Sequence, residues 1–129
     1  MACLGDRVMW NSTARVRVRE VAGVLVVQAD GEFDLDEVDL LLAAWEEADE
    51  LALPATVLDL TGCVFGDSSF LGALLIGRSR HLASGRRLTL AGPLQPGILL
   101  LLAVSGTLHA FDLAESLAEA IAGEPAAPA

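Results

Sequence analysis

Along Ala14-Arg15-Val16-Arg17-Val18-Arg19 apolar and charged positions alternate, which predicts a half-exposed strand. Ala22-Gly23 supplies a turn, and Val24-Leu25-Val26-Val27-Gln28-Ala29 follows as a nearly unbroken apolar run. Such a run predicts a strand covered on both faces, paired with its predecessor as a hairpin. After Asp30-Gly31-Glu32-Phe33-Asp34 the period lengthens. Val38, Leu41, Leu42, Trp45, Ala48 and Ala52 recur at three- and four-residue steps with acids on the other side. This predicts a helix, capped by Asp34 or Asp36 and stopped by Pro54.

Thr56-Val57-Leu58-Asp59-Leu60 reads as a second buried strand. Phe65-Gly66-Asp67-Ser68-Ser69-Phe70 then leads into Leu71, Leu74, Leu75, Arg78 and Leu82 at helical steps, with Gly85 as the stop. Arg87-Leu88-Thr89-Leu90-Ala91 is the next strand. Gly92-Pro93 turns, and Pro96 opens a helix that carries the leucine run and closes at Gly106. Leu108-His109-Ala110-Phe111 reads as a short strand before a last helix from Leu113 to Ile121. The order β-β-α-β-α-β-α-β-α predicts an α/β fold. It implies a single domain with a mostly parallel sheet of four to five strands, an N-terminal antiparallel hairpin and about four helices. Residues 1–13 are expected to be a flexible segment, 14–122 the domain, and 123–129 a disordered tail.

Composition narrows the function classes. A chain of 129 residues, 53% apolar, can bury a core within one domain. The run Ile98 to Val104 is far shorter than the roughly 20 residues of a membrane span, so it reads as a buried helix. Asp6 and Arg7 interrupt the apolar stretch that a signal peptide needs. A cytoplasmic protein without membrane insertion is expected. The formal net charge is -10, no Lys or Arg lies between residues 20 and 77, and nine acids fall between Glu32 and Glu50. That surface repels nucleic acid and anionic lipid. Arg15, Arg17 and Arg19 form the one basic stripe, read as the solvated face of an edge strand. Cys3 and Cys63 are too few for a zinc site or disulfide framework, and Cys63 reads as small apolar filler. His81 and His109 lack a partner at ligand spacing and read as helix-surface or strand-end residues. No cofactor is expected.

Ser68, beside Asp67 where a strand gives way to a helix, is the candidate for chemistry, either as a nucleophile or as a hydroxyl that is modified. Phe65-Gly66-Asp67-Ser68-Ser69 resembles the opening block of the GDSL esterases and lipases, whose serine needs a base from an Asp-x-x-His block and an asparagine for the oxyanion. Here Asn11 is the only asparagine, while Arg78 precedes His81 and Gly106 precedes His109 by three residues. The esterase reading lacks its machinery. The other reading starts from topology: neighbouring parallel strands present their C-terminal ends at one rim. Asp34, Asp67 and Ser68 should therefore meet there, an exposed acidic patch around a hydroxyl.

Gly31-Glu32-Phe33-Asp34, then Leu58-Asp59-Leu60 followed by Phe65-Gly66-Asp67-Ser68-Ser69-Phe70-Leu71, together resemble the two hallmark segments of the anti-sigma factor antagonists of the STAS family. Leu90-Ala91-Gly92-Pro93 and Val104-Ser105-Gly106-Thr107-Leu108 fit its later pattern, so the likeness spans roughly residues 14 to 122. The resemblance implies a STAS-like fold and no enzymatic activity of its own. It implies a protein that binds an anti-sigma factor serine kinase and frees a sigma factor. Phosphorylation of Ser68 would block that binding and a phosphatase would restore it. Asp34, Asp67, Ser69 and Phe70 are the expected partner-binding residues. The chain departs from the pattern by carrying Phe70 where the family has Gly, and Gly66 where it has a larger apolar residue. Phe70 is then either an apolar anchor for a partner or a core residue of the helix's first turn. An alternative is a STAS interaction subunit of a lipid-transport or other multiprotein assembly that is never phosphorylated.

Overall fold

The computed structural model describes residues 7–10 and 13–122. Strand β1 (Arg7–Trp10) and β2 (Ala14–Val21) pair antiparallel, and β2 pairs antiparallel with β3 (Val24–Phe33). Helix α1 (Val38–Leu51) crosses to β4 (Ala55–Asp59), which lies parallel to β3. A short strand β5 (Cys63–Gly66) continues alongside the end of β3 and runs straight into α2 (Ser68–Ala83). Next come β6 (Arg87–Ala91), α3 (Pro96–Ser105), a 3-10 turn (Leu108–Ala110), β7 (Asp112–Ala114) and α4 (Leu117–Ala122). The sheet has seven strands in the order β1-β2-β3-β4-β6-β7, with β5 attached to β3.

Alternation along the central strands sorts their side chains between two layers. Leu25, Val27 and Ala29 of β3, Leu58 of β4 and Leu90 of β6 join the larger core with Leu41 and Trp45 of α1, Leu74 of α2 and Ile98 of α3. Val24, Val57 and Ala91 turn the other way and meet Ala120 of α4. The two long helices approach closely. Trp45 Nε1 donates to the Ala73 carbonyl at 2.8 Å, and a Cβ on Gly77 would stand 2.9 Å from that same nitrogen. Glycine at position 77 is what lets the indole lie against α2.

Several elements differ from the sequence reading. Arg7–Trp10 is a strand inside the segment expected to be flexible; residues 1–6 and the tail 123–129 lie outside the described residues. With β1 outside it, β2 is an interior strand rather than an edge, and Arg15 is held by Asp30 at 2.9 Å and stacks on Trp10 at 5.6 Å. The expected strand at Leu108–Phe111 is a 3-10 turn, and the pairing strand begins at Asp112. Helix α3 buries only Ile98 and Leu102; Leu99, Leu100 and Val104 are exposed, so it is not the buried helix that its leucine run implied. His81, expected on a helix surface, is 1% exposed. Its ring is fixed between the Gly77 carbonyl (2.7 Å) and Thr56 Oγ1 (2.8 Å), which satisfies both nitrogens in the core. No helix among the described residues is long and apolar enough to cross a membrane.

Candidate functional site

The rim forms where β3 and β5 end side by side. Phe33 is in register with Gly66, and the Asp67 N–H donates to the Phe33 carbonyl at 3.3 Å. The residues that follow, Asp34 after β3 and Asp67-Ser68 after β5, therefore leave the sheet next to each other.

Each begins a capped turn. Asp67 is extended, and its Oδ1 accepts the N–H groups of Ser69 (2.9 Å) and Phe70 (3.1 Å), so Asp67 is the cap of α2. Ser68 stands one position inside the helix, exposed, and its hydroxyl makes no hydrogen bond among the described residues. The cap is the carboxylate of Asp67 and not the hydroxyl of the serine after it. Asp34 Oδ1 accepts the Asp36 N–H at 3.0 Å, and Glu37 Oε1 accepts the Asp34 N–H at 3.3 Å. Asp34 thus closes the turn ahead of α1 without capping the helix, whose N-cap position is Glu37.

The carboxyl groups of Asp34 and Glu37 influence one another. Hydrogen bonding with Glu37, then with the Asp36 N–H, holds the Asp34 carboxyl below the usual range. A hydrogen bond between the two carboxyl groups, then burial, raises that of Glu37, against the Asp34 N–H, which favours its charged form. On acidification Glu37 therefore takes up a proton before Asp34 does. With Asp36 and Asp39 also exposed and no basic residue between 20 and 77, the rim is anionic.

The five residues expected at the site do not all reach it. Asp34 and Ser68 are exposed, while Asp67 and Ser69 are half-buried. Phe70 is 0% exposed, so it cannot anchor a partner, and that expectation is corrected. Its ring packs on Phe33 with centroids 5.4 Å apart and fills the space over Gly66. A Cβ at Gly66 would come within 2.6 Å of Phe70 Cγ. The two departures from the family pattern are one compensated exchange: volume missing at 66 is supplied from 70. The exposed apolar groups at the rim are instead Leu35 (69%) and Phe65 (48%). Phe65 belonged to the quoted motif, but in a four-residue strand nothing in the sequence says which face is wet.

The geometry gives Ser68 no base. His81 lies thirteen positions further along α2, roughly 20 Å at 1.5 Å per residue, with both ring nitrogens engaged. His109 sits in the 3-10 turn that Arg78, on that same distant part of α2, ties down through Ala110. No cluster of His, Cys, Asp and Glu suited to a metal ion occurs among the described residues. The arrangement can present a hydroxyl on an acidic ledge.

Comparison with known proteins agrees on the architecture. The family model described as Mlab, STAS domain matches residues 16–122. Among solved structures, an anti-sigma factor antagonist from Mycobacterium paratuberculosis is 22% identical, with a TM-score of 0.77 over 86% of this chain and 93% of that one. The phosphorylated form of the Bacillus cell fate determinant SpoIIAA is also 22% identical, with a TM-score of 0.67 over 83% and 96%. A sulfate transporter family protein from Wolinella succinogenes is 18% identical, with a TM-score of 0.69 over 79% and 84%. No curated protein matches the sequence. Identities this low speak to the fold.

Proposed function

The chain belongs to the STAS-domain family, and from that premise we propose that it is an anti-sigma factor antagonist switched by phosphorylation at Ser68. It binds an anti-sigma factor that is itself a serine kinase, releases the sigma factor, and loses that partner when Ser68 is phosphorylated. A phosphatase restores it. The protein acts on transcription only through this protein contact, in the cytoplasm, and carries no reaction of its own.

The observation that supports this reading is the exposed, unengaged Ser68 hydroxyl on the first turn of a helix whose cap is another residue. A phosphate there adds about -1.5 to -2 charges at pH 7. At a helix N-terminus those charges meet the positive end of the dipole, so the fold tolerates them. For a docking partner they add like charge to a rim already anionic, which has to be desolvated on contact. Asp34 and Ser69, with the exposed Leu35 and Phe65, form the contact surface, and Asp67 acts by holding the turn.

Incubation with the cognate kinase and ATP, followed by mass spectrometry, tests this. Phosphate on Ser68 alone is expected; modification elsewhere, or none, removes the switch. Ser68→Asp should weaken kinase binding and Ser68→Ala preserve it, and equal binding by both overturns the charge argument.

A second reading is a STAS interaction subunit of a lipid-transport or other multiprotein assembly. It draws on the match to the Mlab-type model, and on Phe70, which replaces the family glycine beside Ser68. A kinase or sigma-factor gene next to this one favours the switch, and transporter genes favour the subunit.

A further inference from the structure

At the end of the sheet opposite the Ser68 rim, arginines stand among the acids. Four of the chain's eight basic residues, Arg78, Arg80, Arg86 and Arg87, fall within ten positions where α2 returns to β6. A cavity of about 180 Å³ opens there, lined by Arg78, Arg86, Arg87, His81, Phe111 and Asp112 among others.

The arginines are not equivalent. Arg86, 8% exposed, is fully engaged: it bonds Asp49, the Ala48 carbonyl at 3.1 Å and Ser84 Oγ at 2.7 Å. It is a structural strut between α1 and β6. Arg87 lies 3.9 Å from Asp112, with both side chains more than half exposed, a pair that water screens. Arg78 is half-buried, and its Nε donates to the Ala110 carbonyl at 2.6 Å. Among the described residues no carboxylate pairs with it, in a chain that carries 18 acids against eight arginines. His81 contributes shape and no charge, because burial lowers its pKa and its nitrogens bond Gly77 and Thr56. Asp112, the one acid among the lining residues, pairs with Arg87, and Arg78 has no carboxylate partner among the described residues.

We infer that this cavity binds a small phosphate-bearing anion, gripped by the Arg78 guanidinium with Arg87 at the mouth. A guanidinium fork matches phosphate oxygens two at a time. Phe111 and Leu88 supply apolar walls, which strengthen charge interactions by excluding water. The volume limits the ligand. It suits phosphate with a small substituent. Drug-sized and cofactor pockets run from about 300 to 1,000 Å³, so a nucleotide does not fit within it. The site is independent of the Ser68 reading. It lies against the 3-10 turn that joins α3 to β7, so occupancy should steady that connection.

The test is a titration of the full chain with inorganic phosphate at constant ionic strength, with sodium chloride as the matched control. Amide resonances of Ala110 to Asp112 and of Arg78 report the cavity. A second arm uses methyl phosphate. Saturable shifts with a millimolar dissociation constant are expected. Tighter binding of the ester assigns the apolar walls to its substituent, and equal binding assigns the site to phosphate alone; both support the inference. Arg78→Gln should weaken binding roughly tenfold or more, the loss of a charge-assisted pair. Arg80→Gln, whose side chain pairs with Asp49 outside the cavity, should leave it unchanged. Should Arg78→Gln fail to fold, the surface variant Arg87→Gln carries the test and should weaken binding several-fold. Shifts that rise without saturating, that chloride reproduces, or that survive both the Arg78 and Arg87 variants overturn the site.

Discussion

Adding one methyl group at Gly66 should destabilise the protein, and removing the ring of Phe70 should reverse the sign of that effect. A Cβ at position 66 would stand 2.6 Å from Phe70 Cγ and 3.0 Å from its Cβ. The ring cannot retreat, since Phe70 is 0% exposed and braced against Phe33. Overpacking of this kind costs about 1–3 kcal/mol. With a urea m-value of about 2 kcal/mol per molar, Gly66→Ala lowers the unfolding midpoint by roughly 0.5–1.5 M. Phe70→Ala alone costs about 3–5 kcal/mol, which a domain of ordinary stability survives. In that background the ring contacts are gone, and the remaining Cβ contact at 3.0 Å is relieved by a shift of a few tenths of an ångström into the space the ring vacates. Gly66 has no positive φ, so alanine fits the strand backbone and restricts the unfolded chain, a gain of about 0.4–1 kcal/mol. The coupling across the cycle is then about 1.5–4 kcal/mol, measured by urea unfolding of the wild type, both single variants and the double variant. If Gly66→Ala has the same sign in both backgrounds, or the two effects add within about 0.5 kcal/mol, the two positions do not share one volume and the argument fails.

Asp67→Ala should cost about 1 kcal/mol and speed amide exchange at Ser69 and Phe70, with Asp67→Asn recovering most of it; unchanged exchange would mean that the carboxylate is not the cap. Burial pushes the Cys63 thiol up to about 12, so in a Cys3→Ser background a thiol reagent at neutral pH should label Cys63 only as fast as the protein unfolds globally. For His81, burial foremost and the Arg86 and Arg80 charges place the folded pKa below the ordinary 6.5, while Asp49 and the Gly77 carbonyl oppose them. The unfolded chain therefore takes up the proton first. His81 contributes fully above about pH 6.5, and that stability is lost as pH falls through this value toward the folded pKa. Thermal melts should show the gap between wild type and His81→Gln narrowing on acidification; a gap that widens would refute the assignment.

The parallel core was legible because its signals are local and mutually consistent. Val24 to Ala29 is too apolar for a one-faced strand, and the three- and four-residue steps of α1 admit no other period. The elements that escaped are short or depend on their partners. Arg7–Trp10 and Cys63–Gly66 have four residues each, too few to show a period, and both are strands because β2 and β3 offer free edges. Removing an edge changes the meaning of its neighbour, which is why the arginine stripe of β2 is not an outer margin. At the rim, Asp34 and Ser68 could be placed from topology alone, since a parallel register fixes which strand ends meet. Phe70 could not. Whether a phenylalanine at a helix start points out or in depends on the volume left by Gly66, a contact that exists only once β5 is laid against β3.

The order of the two residues at the start of α2 bears directly on whether a switch can operate there. Had the serine hydroxyl been the cap, attaching any group to it would disturb the acceptor that satisfies the first free N–H groups of the helix, at a cost of about 1 kcal/mol and with local unwinding. With Asp67 as cap, those N–H groups are served by a carboxylate that no modification of Ser68 touches. Charge added at Ser68 then meets two opposed terms of similar size. Two unit charges about 4 Å apart repel by about 1 kcal/mol in water, which sets the scale for a neighbouring carboxylate, and the helix terminus attracts the added charge by about 0.3–1 kcal/mol. They nearly cancel within the free protein. At an interface the first term grows as water leaves, while the partner's own surface adds to it. Ser68→Asp should accordingly melt within a few degrees of wild type, and a large drop in melting temperature would show that the hydroxyl supports the fold and that lost binding reports damage rather than regulation.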